Sequence, residues 1–400
     1  MVGLCAVLGG CGGGGGGSGS SKSVTIAVNA PFSRAPYVGQ TIADGAELAA
    51  SKASVEVNGV KYRFRIRRYD TGLSPSIAVR NVRKAIADGA AAIVDEGTGV
   101  DASWQIARDK DIPLAVTYQG GEGLVDAAKW PNVFRVAPTD HGISYRLAEY
   151  VIPKKLKVAL ITDDSSYGQE GAKALDEAFS QNPESVAVKL TVPADSPDLA
   201  PQVLRARRAG ATGLLVWAQP TTIAGVLSAA RSSGWKVPVF TPPTGEDPLV
   251  RQQLANHPEW VNGLTFASGR PTAEVGAGPF LAFQRDLENR FGVQLVGVKT
   301  SDGAQVVQPP DYAMYSYDFV NVLAAAIQRA GGVSDRKKVL AALNQVSVAG
   351  ANGDQRGFNE RNHEGVVDDD VYFAKFEDMT YKPVKDDPLS ATLVPIEQRR

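Results

Sequence analysis

Short apolar runs alternate with helix-period segments along most of this chain. Val24-Thr25-Ile26-Ala27-Val28-Asn29 is an apolar run that stops at Pro31, and 40–53 follows with Ile42, Ala46, Ala49 and Ala53 at helical spacing. Tyr62, Phe64 and Ile66 alternate with Arg63, Arg65 and Arg67, which predicts a strand with one wet face near a sheet edge. Ser74-Pro75 opens a helix, with Ser as cap and Pro at the first helical position, and Gly89 ends it. Residues 90–95 read as a buried strand, 101–109 as a helix and 112–117 as a strand. The pattern restarts with strands at 157–162, 186–192, 213–217 and 237–241, separated by helices at 167–179, 199–209 and 223–232. Helical segments follow at 279–291, 312–330 and 336–345, then strand-like pairs at 370–376 and 381–384 around a turn at Asp378. Strand-helix-strand repetition predicts α/β architecture: parallel sheets with helices on both faces. There are two such halves, joined near Arg135 to His141.

At 400 residues the chain is too long for one typical core, so two domains are expected. Lys+Arg is 42 against Asp+Glu 43, a balance without the basic excess of a nucleic-acid binder. Both cysteines, Cys5 and Cys11, fall in the leader, so the body offers no disulfide, thiolate metal site or Cys nucleophile. The leader Leu4-Cys5-Ala6-Val7-Leu8-Gly9-Gly10-Cys11 resembles a bacterial lipobox, cut before an acylated Cys11. A glycine/serine run reaches Ser21 and reads as a flexible tether. Residues 1–22 are therefore expected to be a signal and tether. The remainder is expected outside the cytoplasm, touching the membrane through its lipid only.

Catalysis finds no support. His141, His257 and His363 are far apart and show no metal-ligand spacing. G-x-S-x-G and G-x-x-x-x-G-K are absent. Gly97-Thr98-Gly99-Val100-Asp101-Ala102 matches G-x-G-x-x-A, but the acid that a dinucleotide site needs about 20 residues on is replaced by Tyr118-Gln119. No cofactor is expected. The same loop, ahead of a helix, reads either as offering free N–H groups to an anion or as a tight turn with no ligand. Other strand ends face the expected cleft: Tyr118-Gln119-Gly120-Gly121, Tyr167, Trp217 with Gln219, and Thr244-Gly245-Glu246-Asp247. Trp217 reads equally as core or as cleft wall, and the acids at 246 and 247 as ligand partners or turn residues.

The order of segments resembles the type I periplasmic binding proteins, the Leu/Ile/Val-binding family of receptors for ABC importers. The resemblance rests on Val24 to Ser33 with Gly39, Gly45 and Leu48-Ala49; on Arg68-Tyr69-Asp70 with Ala78 and Val82; and on Asp164-Ser165-Ser166-Tyr167-Gly168. Tyr315-Ser316-Tyr317-Asp318, Ala324 to Ile327, and Gly357-Phe358 with Gly365 complete it. It implies two lobes, 24–137 with 270–356 and 138–269 with 357–400, crossing near Ala137, Gly269 and Gly357 and closing on a solute by a hinge. An ABC permease is the implied partner; a sensing module of the same fold is the alternative. It also implies that lobe one holds a ligand carboxylate at 97–101 and 119–121, that Tyr167 faces it, and that the ammonium-pairing acid falls near Thr244, with Glu246 and Asp247 close by. Asp101 in the anion loop weighs against a simple carboxylate and opens amide or cationic ligands; Tyr118 and Trp217 suit an aromatic or bulky apolar one. The stretch 298–311 departs from the family pattern.

Overall fold

The computed structural model describes residues 20–269, 278–366 and 371–387. The lipobox and Cys11 lie outside these. The first half runs β1 (Ser21–Ala30), α1 (Pro36–Lys52), β2 (Val55–Val57), β3 (Val60–Asp70), α2 (Pro75–Ala87), β4 (Ala90–Asp95), α3 (Val100–Arg108), β5 (Leu114–Val116) and β6 (Val133–Arg135). The second runs α4 (Asp140–Val151), β7 (Val158–Asp163), α5 (Ser166–Ala178), β8 (Val186–Val192), α6 (Ala200–Arg208), β9 (Gly213–Trp217), α7 (Pro220–Ser232), β10 (Val239–Thr241), α8 (Pro248–Gln253) and β11 (Leu264–Gly269). Then come α9 (Gly278–Phe291), β12 (Leu295–Lys299), β13 (Gln305–Val307), α10 (Asp311–Ala330), α11 (Arg336–Leu343), β14 (Ser347–Ala349), β15 (Gln355–Gly357), β16 (Val371–Glu377) and β17 (Thr380–Pro383).

Two sheets form, each the centre of one lobe. The first has the order β2-β3-β1-β4-β5-β6 and the second β17-β16-β11-β10-β9-β7-β8. Strands β3, β1, β4, β5 and β6 are parallel, and only the three-residue β2 runs antiparallel. The Arg-alternating β3 therefore lies one strand in from the edge, as its half-wet pattern predicts. In the second sheet the antiparallel pair β16-β17 extends β11. Strands covered on both faces read as continuous apolar runs: every residue of β7, β9 and β11 is buried. Helices α1, α9, α10 and α11 pack with the first sheet in one apolar core. Helix α4, in a stretch to which the sequence reading assigns no element, turns Ile143, Leu147, Tyr150 and Val151 onto the second sheet.

Two of the expected boundaries are corrected by packing. Residues 270–356 do not all stay on lobe one: the hairpin β12-β13 buries Val296, Val298 and Val306 in the second-lobe core. Gln252 Nε2 donates to the Val296 carbonyl at 2.8 Å, and the Asp378 carboxylate accepts from Ser301 N and Oγ, each at 2.8 Å. The departing stretch around 298–311 is thus a strap leaving α9, crossing to lobe two and returning into α10. The last crossing is not at Gly357 either. Phe358 and Val366 still pack in the first core, and the chain enters the second at Val371. Arg135 holds this junction: its Nε and Nη2 each donate to the Glu364 carboxylate at 2.8 Å. The acidic run 368–370 lies outside the described residues.

Candidate functional site

A cavity lies between the lobes at the carboxyl ends of their strands, where open α/β sheets place ligands. Its enclosed space is about 40 Å³, and about 480 Å³ when the open mouth is included. Lobe one supplies Tyr118, Gln119 and Gly120 from the loop after β5, and Tyr312 and Tyr315 from the start of α10. Lobe two supplies Ile143, Tyr167, Pro243 and Thr244, and the first crossing supplies Pro138 and Asp140.

Of the sequence-predicted residues, Tyr118, Gln119, Gly120, Tyr167 and Thr244 line this cavity together. The Tyr118 ring stands edge-on to Tyr312 at 4.9 Å. Burial pushes the Tyr118 hydroxyl well above its usual range, with Asp247, Glu96 and Glu246 adding to it. Tyr167 is pushed up by burial in the same way. It sits at the start of α5, where Ser165 caps the helix by accepting from Gly168 N at 3.1 Å. The Thr244 hydroxyl is buried and makes no hydrogen bond of good geometry. It lies beside that of Tyr167. Gly120 is required by close approach: a Cβ there would fall 2.4 Å from Asp140 Oδ1 and 2.7 Å from its backbone N.

The other predicted residues stand elsewhere. Trp217 is core: fully buried at the end of β9, it backs Tyr167 at a ring distance of 5.8 Å and does not line the cavity. Gln219 starts α7, its backbone N donating to Asp163 Oδ2 at 2.6 Å. Asp101 is exposed on α3. Gly99, in a left-handed conformation, begins that helix, and Gly121 presents its carbonyl to Arg135 at 3.1 Å. Glu246 accepts from Tyr381 Oη at 3.0 Å, and Asp247 caps α8 by accepting from Leu249 N at 2.8 Å. Neither acid lines the cavity, so of the two readings of Glu246 and Asp247 the one that makes them ligand partners finds no support in this geometry.

The loop expected to receive a ligand carboxylate already holds carboxylates of the chain. Gly97 N donates to Asp95 Oδ1 at 2.8 Å, and Asn29 Nδ2 to Asp95 Oδ2 at 2.8 Å. Thr98 bonds Glu96 through its hydroxyl and backbone N–H. Thr71 Oγ1 and Gln119 Nε2 donate to the same carboxylate at 3.2 and 3.3 Å. Both acids are fully buried. Burial raises each, Asp95 to about 8 with the neighbouring Glu96 adding to it.

The acid that does reach the cavity is Asp140, which the sequence reading missed. It is 4% exposed, begins α4 and accepts no hydrogen bond from the described residues. Burial raises it to about 7, against a lowering by Arg135 and a further rise from Glu122 and Glu170. The signal was present in sequence: Pro138-Thr139-Asp140 at the junction of the halves is a capped helix start with an acid in its first turn. Thr139 makes that cap, accepting from Gly142 N at 2.8 Å. Tyr315 was legible only as a family marker and Tyr312 only as the start of a helical segment. Among the described residues, no His/Cys/Asp/Glu group is arranged to hold a metal ion and no helix is long and apolar enough to cross a membrane.

Beneath the cavity a buried network ties the strap to both lobes. Gln308 Nε2 donates to Tyr37 Oη of α1 at 3.0 Å and to Tyr381 Oη of β17 at 2.8 Å, while its Oε1 accepts from Arg251.

Solved structures match this architecture at low identity. One is a periplasmic binding protein type 1 from Bordetella pertussis Tohama I: 18% identity, TM-score 0.76, 91% of this chain and 100% of that one. Another is the branched-chain amino acid transporter substrate binding protein LivJ from Streptococcus pneumoniae, in complex with isoleucine: 19% identity, TM-score 0.74, 90% and 98% covered. A third is a solute binding protein of an ABC transporter from R. palustris, in complex with benzoate: 18% identity, TM-score 0.72, 90% and 95% covered. No curated protein matches the chain. The family model described as periplasmic binding protein matches residues 23–380, and with the two-lobed type I fold this shows that the chain belongs to the periplasmic binding protein family.

Proposed function

We propose that this protein is an exported, lipid-anchored receptor that captures a small solute between its lobes and delivers it to an ABC importer. The observation that carries the reading is Asp140. A buried carboxylate without a hydrogen bond costs stability, and such a group in an interlobe cavity is the mark of a site awaiting a ligand. The cavity is shaped for enclosure, with walls from both lobes and from the crossing between them. The relatives' complexes with isoleucine and with benzoate give precedent for amino-acid and aromatic solutes in this fold. Anchoring follows from the reading of Leu8 to Cys11, and the importer from the family.

No step in this function requires bond chemistry. Opening admits the solute, closure removes it from water, and the polar groups around it must be matched one by one, because each unmatched buried group costs about 1–3 kcal/mol. The test is a thermal-shift screen of protein that has been unfolded and refolded to remove retained solute. A ligand at about 100 times its dissociation constant should add roughly 2.7 kcal/mol. A saturable shift with one solute class and no turnover supports a receptor. No shift with amino acids, amides, amines or aromatic acids counts against it. Co-purification of a permease with the acylated protein tests the transport half.

A further inference from the structure

We propose that the cavity accepts a small organic ammonium cation that carries no carboxylate. The proposal rests on the solute-receptor reading and narrows its ligand. Its first ground is that the lobe-one loop has spent its leading donors. Gly97 N is bound to Asp95, and Thr98 and Gln119 are bound to Glu96. A ligand carboxylate placed there would meet N–H groups already bound and two buried acids, and would gain no counter-charge from them.

Among the described residues, no lysine or arginine lines the cavity to compensate. Arg135, which lies near Asp140, has its guanidinium occupied by Glu364 and by the carbonyls of Gln119 and Gly121 at 3.2 and 3.1 Å. Among the described residues, the one charged side chain at the cavity wall is Asp140, buried, without a hydrogen bond from any of them, and held by the first turn of α4. Around it stand four tyrosines, Tyr118, Tyr167, Tyr312 and Tyr315. Aromatic faces attract a desolvated cation through their quadrupole, and a carboxylate among them supplies the counter-charge. A carboxylate ringed by tyrosines suits an amine or a quaternary ammonium, and the cavity wall described offers an anionic end of the ligand hydroxyls but no cation.

The test uses the full chain, refolded free of retained solute, and titration calorimetry with five probes. These are choline, the neutral dimethylbutanol of the same shape, glycine betaine, leucine and benzoate. Choline is expected to bind at least about tenfold more tightly than its neutral isostere, with the three carboxylates weaker still. Asp140→Asn, with folding checked by circular dichroism, should erase the preference for choline over the isostere. Glu96→Gln, which withdraws a charge from the loop, should bring carboxylate binding up. Tight binding of leucine or benzoate with weak binding of choline would overturn the proposal and leave the receptor reading standing. Failure of every probe, alongside failure of the broader solute screen, would overturn both.

Discussion

Asp140 carries the stability cost of a buried carboxyl at the proposed binding site. Its carboxyl is raised to about 7 in the fold, with Arg135, Glu122, Glu170 and Tyr167 as the titratable groups around it. A raised carboxylate binds its proton in the native state at a pH where the unfolded chain has lost it. The contribution is therefore favourable at low pH and is lost as pH rises from about 4 to about 7. Asp140→Asn should match the wild type in urea unfolding at about pH 4.5. At about pH 7.5 it should exceed it, by an amount on the order of a few kcal/mol at most. Equal stability at both values would show that Asp140 is not burdened by burial. Gly120→Ala tests the neighbouring contact. Its Cβ would stand 2.4 Å from Asp140 Oδ1 and 2.8 Å from the Pro138 carbonyl, so a loss of about 1–3 kcal/mol is expected from overpacking, with weaker solute binding because Asp140 moves. A neutral result in both assays would sink that account.

At the scale of elements, the strap and the late hairpin carry the predictions. Gln308 satisfies Tyr37, Tyr381 and Arg251 at once from the base of β13, and it is buried. Gln308→Leu keeps the volume and removes the amide. It should cost about 1–3 kcal/mol, since three polar partners lose a bond. It should also raise the radius of gyration of the ligand-free protein in solution scattering, because Tyr37 and Tyr381 belong to different lobes. A stability loss with an unchanged radius would assign Gln308 to packing alone. Helix α10 and the hairpin β14-β15 are joined by a different device. Arg356 Nε donates to Asp318 Oδ2 at 3.0 Å, and Ala351 N donates to Asp318 Oδ1 at 2.7 Å, all buried. Arg356→Met should destabilise by about 3–5 kcal/mol, because a buried carboxylate loses its counter-charge. Asp318→Asn in that background should recover part of the loss. No recovery would point to packing rather than charge.

Across the whole molecule, two α/β lobes with a shared cavity make closure the expected response to a solute. Scattering with and without a solute found by thermal shift should show a smaller radius on binding, and an unchanged radius would argue for a rigid site. Much of this frame was legible in the chain. Strands β4 and β9 fall on the predicted residues because a parallel strand buried on both faces has an uninterrupted apolar run. Helix α4 was not read, although Ile143, Leu147 and Tyr150 keep helical spacing. The crossing after Val366 also escaped notice, since nothing in Gly357-Phe358 tells which core Phe358 enters. The strap was visible only as a departure, because three apolar residues in a hairpin do not say which lobe they will meet.

Local pattern by itself determined the alternation of elements, the two halves and the loops that end up near the cleft, because periodicity and turn chemistry act over a few residues. Tertiary structure decided which acid faces the cavity. Glu96, Asp140, Glu246 and Asp247 all stand beside the ends of strands or helices in sequence, and only burial and bonding separate them. Three are engaged by Thr98, Tyr381 and Leu249. Asp140 faces the cavity without a bond because Arg135, the cation near it, is already bound to Glu364.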